Sequence, residues 1–261
     1  MKEIVVKFVA AALGTAMLTL MAAGCGGVDA TEVTPPASQP DQTVSLPTQQ
    51  TTEVTQEQTQ QPAHVPVELD MSNALFIGDS RTVGLMEYSG LESDFFASVG
   101  MSVYNVEDEE VSVPNVGKVT LDQLLSNREY DTIYLMLGIN ELGYDMDQTV
   151  DVYGELVEDI SKSQPNAKIM IQANLHVTQE KSRNHDYITN ERIDEFNDKT
   201  AGLADGKNIF YLDANPEYDD ENGAMSPEVT SDGAHLYAKY YEQWGTWIKE
   251  ESQRMLEGSG R

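Results

Sequence analysis

The chain has 261 residues and carries 44 acidic against 16 basic side chains, a formal net charge of −28. A field of that sign repels phosphate polymers, which argues against a nucleic-acid-binding function. With one cysteine the chain forms no internal disulfide, so stability has to come from a buried core.

Met1 to Gly24 has the parts of an export signal: Lys2 and Lys7 at a positive end, an apolar stretch from Phe8 to Met21, and the small residues Ala22-Ala23-Gly24. The small residues followed by Cys25 resemble the lipobox of bacterial lipoproteins, with Ala22 where that pattern more often has Leu. The resemblance implies removal of residues 1–24, lipidation of Cys25 and an extracytoplasmic protein that touches the membrane only through its lipid. Cleavage there would remove Lys2, Glu3 and Lys7 and leave a net charge of −29. Residues 25–66 are rich in Thr, Gln and Pro, with Pro35-Pro36, Pro40, Pro47 and Pro62 interrupting any helix, and with His64 near the end. Such a segment buries too little apolar surface to offset its ordering, so it reads as a tether. About 40 residues of Pro-containing coil span several tens of Å.

Residues 67–261 read as one domain, large enough to bury roughly 70% of its unfolded surface. Candidate strands are Ala74–Ile77, Phe95–Val99, Tyr130–Leu137, Lys168–Ala173 and Asn208–Leu212. They alternate with candidate helices at Thr82–Tyr88, Leu121–Asn127, Gln148–Ser163, Glu191–Ala204 and Leu236–Met255. That alternation predicts a three-layer α/β/α sandwich around a mainly parallel five-stranded sheet, with any site at the carboxyl ends of the strands. Thr120 and Gln123 have the spacing of a capping box, and Pro165 stops the third helix. The acidic runs Glu107-Asp108-Glu109-Glu110 and Asp219-Asp220-Glu221 read as solvated faces rather than calcium loops. Met86, Met136 and Met170 read as core filler, and Trp244 and Trp247 as the buried face of the last helix.

Four pieces that each follow a strand carry the chemistry. Gly78-Asp79-Ser80 makes a sharp strand-to-helix turn, which presents a serine hydroxyl beside the N–H groups of a helix start. Serine is a weak nucleophile and needs a base. Asp232 and His235, three apart before the last helix, have the spacing at which a carboxylate accepts from one ring nitrogen while the other nitrogen serves the serine. Gly100 lets backbone approach a ligand, and Asn140 brings a side-chain amide to the sheet edge.

In order and spacing, Gly78-Asp79-Ser80, Gly100, Gly138-x-Asn140 and Asp232-x-x-His235 resemble the blocks of the SGNH hydrolases, also called GDSL esterases and lipases. The resemblance implies a flavodoxin-like fold with Ser80 as nucleophile, His235 as base and acid, and Asp232 as its orienting carboxylate. It also implies an oxyanion hole formed by the Ser80 N–H, the Gly100 N–H and the Asn140 amide. No set of His, Asp and Glu has the spacing of metal ligands, and no cofactor is expected. Glu141 stands where the family more often has Asp, and Arg81 where it has an aliphatic residue. Asp79, Arg81, Glu141 and His176 are candidate substrate contacts, Arg81 through a substrate anion or through a salt bridge to a nearby acid. The expected activity is hydrolysis of short acyl esters, acetyl above all, on cell-surface or other carbohydrates. The alternatives are acyl transfer to a sugar hydroxyl and a non-catalytic glycan-binding or cell-wall module.

Overall fold

A computed structural model describes residues 69–259. The leader, Cys25, the tether and His64 lie outside the described residues. The chain runs β1 (Ala74–Gly78), α1 (Ser80–Tyr88), β2 (Asp94–Ala97), β3 (Val111–Val113), β4 (Gly117–Val119), α2 (Leu121–Asn127) and β5 (Thr132–Met136). It continues through α3 (Met146–Ser163), β6 (Lys168–Gln172), α4 (Gln179–Asn184), α5 (Asn190–Ala201), β7 (Ile209–Leu212), α6 (Asn215–Tyr218) and α7 (Ala238–Ser259). A 3-10 turn, Ile139–Glu141, follows β5.

Five strands form one sheet in the order β2-β1-β5-β6-β7, and every neighbouring pair is parallel. The chain leaves β1 in one direction toward β2 and later returns on its other side as β5. That reversal is the topological switch point, where the loops diverge and open a crevice at the carboxyl edge.

The apolar runs of the strands divide residue by residue between two cores. Leu75, Ile77, Ile133, Leu135, Ile169 and Ile171 face the side covered by α2, α3 and α5. Phe76, Tyr134, Met136, Met170 and Phe210 face the side covered by α1 and α7. On that second face the Phe76 ring stacks between Phe95 at 5.0 Å and Tyr134 at 4.3 Å. The Tyr134 hydroxyl donates to Ser252 Oγ at 2.9 Å, which ties α7 to the sheet while satisfying a buried polar tip. Trp244 is buried there and Trp247 packs partly against it.

Caps are where local chemistry decided the helix ends. Thr120 accepts from the Gln123 N–H and Gln123 reaches back to the Thr120 N–H, so α2 begins on a complete capping box. The helix Ala238–Ser259 starts later than the expected Leu236, because Leu236 pairs with Thr230 in an antiparallel bridge. The strand expected to reach Val99 stops at Ala97, and Met101 N closes a turn onto the Ser98 carbonyl. The β3–β4 hairpin and the short helices α4 and α6 match no expected element. Met86 is 40% exposed, unlike Met136 and Met170, which are fully buried. It lies on the outer side of α1.

Helices α1 and α7 pack closely at Gly84: a Cβ there would sit 2.3 Å from the ring of Tyr241, itself buried beside Trp244. A Gly84→Ala change gains up to about 1 kcal/mol of helix propensity but overpacks this contact at about 1–3 kcal/mol. We expect a net loss of stability, read as a lower denaturant midpoint with an unchanged m-value.

Candidate active site

Strand β1 ends on a glycine for a packing reason. A Cβ at Gly78 would lie 2.6 Å from the Met136 carbonyl oxygen and 2.1 Å from Thr82 Oγ1, so only Gly lets the turn pass this close to β5. Asp79 then caps α1, its carboxylate accepting from the Arg81 N–H at 2.9 Å. Ser80 is therefore the first helical residue, and its N–H has no intrahelical acceptor.

Ser80 Oγ lies 2.8 Å from His235 Nε2, and His235 Nδ1 lies 2.7 Å from Asp232 Oδ2. In this geometry Nδ1–H donates to the carboxylate and Nε2 accepts from the serine hydroxyl. Asp232 and His235 belong to a turn rather than to a helix start. Asp232 Oδ1 accepts from the backbone N–H groups of Ala234 and His235, both at 2.9 Å, and thereby holds the histidine's own backbone. The turn is anchored where Thr178 N–H donates to the Gly233 carbonyl at 2.8 Å. Gly233 has φ +81°, and a Cβ there would lie 2.6 Å from Thr178 Oγ1, so both conformation and space require glycine. Partial burial opposes the charge on Asp232, but the His235 backbone and ring bonds and the Ala234 N–H outweigh it. They hold the carboxyl well below the usual carboxylate range.

Gly100 and Asn140 face the same region from the other side of the switch point. Gly100 adopts φ +83°, and its N–H donates to no group among the described residues. Asn140, on the 3-10 turn, donates one amide hydrogen to the Met101 carbonyl at 2.9 Å, which leaves the second for a ligand. Glu141 has the reach to do a related job. Its Oε1 accepts from the Val103 N–H at 2.5 Å, while Oε2 is buried without a partner. Burial pushes this carboxyl up to about 7, with the Val103 N–H acting against the shift and the nearby Asp79 charge with it. Asn140 and Glu141 together thus clamp the segment that follows Gly100.

Asp79 and Arg81 are not surface contacts. Both are buried, at 0% and 2% exposure, and form an ion pair at 3.1 Å. The guanidinium also donates to Asn174 Oδ1 at 2.5 Å and to the Leu175 carbonyl at 3.3 Å. A substrate anion has no path to it, so the salt-bridge alternative is the one realised. His176 likewise lines neither the cleft beside Asp232 nor the one beside Gly100 and Asn140. Its Nδ1 lies 2.8 Å from Asp219 and its Nε2 2.8 Å from Asp194. Burial works against the imidazolium, but two carboxylates overcome it and raise the pKa to about 9. Asp219, read from the sequence as part of a solvated run, is mostly buried against this histidine. Asn174, Asn197 and Asn215, which knit these loops together, carried no sequence signal beyond being polar residues at strand and helix ends.

Two open clefts lie at this edge of the molecule, and neither is lined by Ser80 or His235. One, of about 520 Å³, borders Asp232 and Gly233. The other, of about 370 Å³, contains Gly100, Asn140 and Glu141 and, although smaller, holds the Asn140 amide and the Gly100 backbone.

Removing one partner of the buried pair leaves an uncompensated charge, so Arg81→Met should cost about 3–5 kcal/mol of stability, measured by chemical denaturation. The His176 pKa is raised above its unfolded value of 6.5 to about 9. Its contribution is therefore fully present below about pH 6.5 and lost as pH rises through about 9. Melting temperatures should show this alkaline decline in the wild type and a smaller one in His176→Gln.

Among known proteins, residues 76–243 match the GDSL-like Lipase/Acylhydrolase family, a span that includes Ser80 and His235. A search of curated proteins returns no relative. Among solved structures, a Streptococcus pneumonia protein named for platelet activating factor superposes with a TM-score of 0.54 at 22% identity, covering 72% of this chain and 86% of the other. A GDSL-like lipase from Bacteroides thetaiotaomicron gives 0.54 at 15%, covering 71% and 90%. An acetyl esterase, as a serine-to-alanine variant with an acetate ion, gives 0.50 at 12%, covering 71% and 98%. At these identities the superpositions speak for the fold. The family match spans more than half of the chain, and with it the chain belongs to the GDSL-like lipase/acylhydrolase family, the SGNH hydrolases, and is a serine-type ester hydrolase.

Proposed function

We propose that the protein is an extracytoplasmic, lipid-anchored esterase that releases short acyl groups, acetyl foremost, from carbohydrate through a Ser80-His235-Asp232 triad. The observation that carries the triad is the continuous hydrogen-bonded line from Ser80 Oγ through the imidazole to Asp232, with both contacts under 3 Å. The anchor rests on the leader and Cys25. Carbohydrate follows from location, since a tethered surface domain meets wall polymers and surface glycans first. The superposition on an acetyl esterase is consistent with acetyl release.

In this reading Ser80 Oγ attacks the ester carbonyl as its proton passes to His235 Nε2. Asp232, held ionised, stabilises the imidazolium that forms. The N–H groups of Ser80 and Gly100 and the second amide hydrogen of Asn140 accommodate the negative charge on the tetrahedral oxygen. Collapse breaks the bond to the alkoxy oxygen, which takes the proton from His235 and leaves as the alcohol. Water, deprotonated by the same imidazole, then attacks the acyl-enzyme, and collapse returns the proton to Ser80 and frees the acid.

Ser80→Ala should lower kcat on p-nitrophenyl acetate by at least about 1,000-fold with the fold intact by circular dichroism. Asn140→Ala should lower it by about 100- to 1,000-fold. Product analysis separates hydrolysis from transfer: an acylated sugar acceptor formed ahead of free acid would make the protein an acyltransferase.

A further inference from the structure

The cleft of about 370 Å³ at the oxyanion side contains side chains that the hydrolytic steps do not use. Two are tyrosines, Tyr104 and Tyr144, which are 40% and 64% exposed with their rings 5.4 Å apart and inclined at 50°. Together they make one exposed aromatic patch. The Tyr104 hydroxyl is hydrogen bonded to Thr149 Oγ1 at 2.9 Å, and Arg192 of α5 donates to the backbone carbonyls of both Leu142 and Tyr144. The Tyr104 ring and the Tyr144 backbone are therefore both tied to the scaffold, with the two rings side by side.

The remaining lining is polar. Glu141 is 1% exposed, and its Oε2 is buried with no partner. The Gln148 amide and the Tyr144 hydroxyl are likewise uncommitted among the described residues. No Leu, Ile, Val, Phe or Met lines the cleft. An acyl chain gains its binding energy from apolar burial and finds almost none here. A pyranose has the opposite profile, with C–H faces that lie on aromatic rings and a rim of hydroxyls that need donors and acceptors.

We infer that this cleft is a saccharide subsite, in which Tyr104 and Tyr144 carry the ring of the acylated sugar while the Gln148 amide and the Tyr144 hydroxyl take its hydroxyl or ester oxygens. The inference rests on the esterase reading and adds to it the place where the sugar binds. Because Gly100 and Asn140 line the same cleft, a ring seated there carries its ester toward the oxyanion donors. Selectivity then comes from the alcohol part of the ester and not from the length of the acyl chain.

The test uses the full chain, as wild type, Tyr144→Ala and Gln148→Ala, with kcat/KM measured on glucose pentaacetate, p-nitrophenyl acetate and p-nitrophenyl decanoate. The ratio of glucose pentaacetate to p-nitrophenyl acetate should fall at least about tenfold in Tyr144→Ala, mainly through KM, and severalfold in Gln148→Ala. An unchanged ratio in both variants overturns the subsite. So does a wild-type preference for decanoate over acetate that Tyr144→Ala abolishes, which would make the cleft an acyl channel. If the folded wild type cleaves no ester, the esterase reading fails, and calorimetry of glucose pentaacetate on Ser80→Ala decides the subsite alone. Binding that weakens at least about tenfold when Tyr144→Ala is added supports it, and absence of binding overturns it.

Discussion

The buried ion pair of Asp79 and Arg81 is the constraint around which the catalytic edge of the sheet is built. A charge pair taken out of water holds only if its remaining donors and acceptors are satisfied. Here the satisfaction comes from other strands. Arg81 reaches Asn174 and Leu175 beyond β6, and Asn174 in turn donates to the Leu137 carbonyl beyond β5. The same Asn174 carbonyl accepts from Asn197 of α5 and from Asn215 of α6. One residue after Ser80, the network fixes the start of α1 against the ends of two neighbouring strands, and so positions the Ser80 hydroxyl.

The oxyanion side follows a second and separate logic. Gly100 sits in a segment outside the sheet, with a left-handed backbone and no hydrogen bond on its N–H among the described residues. Asn140 and Glu141 hold that segment from the 3-10 turn, by the Met101 carbonyl and the Val103 N–H. Glutamate serves here because its extra methylene spans to the neighbouring loop, and the carboxyl bears the cost of burial as a raised pKa. Glu141 thus holds the neighbouring loop with one oxygen, while the other stays buried without a partner.

Where the sequence was easy to read, local chemistry and periodicity were enough. The five apolar runs became five parallel strands because a chain buried on both faces has to be continuously apolar. The Thr120–Gln123 capping box and the Pro165 stop work within a few residues, and both helix ends fall where they were expected. Ser80, Asp232, His235, Gly100 and Asn140 were legible because their residue types follow strands in an ordered series. The hairpin β3–β4 was missed since three-residue strands outside the main sheet have too few alternations to count. Arg81 and His176 read as candidate substrate contacts, for a cation next to a serine and a histidine after a strand carry no sign of their burial.

Composition and pattern by themselves determined the fold class and the order along the chain of the strands and of the residues proposed for catalysis, because strand periodicity and turn preferences are local. Tertiary structure alone decided which charged groups face solvent and which are buried in pairs. It also decided that two tyrosines from distant segments lie side by side next to Gly100 and Asn140. Those outcomes depend on contacts between residues dozens of positions apart, such as Arg81 with Asn174 and Asn140 with Met101, and nothing in the local sequence reports the partner.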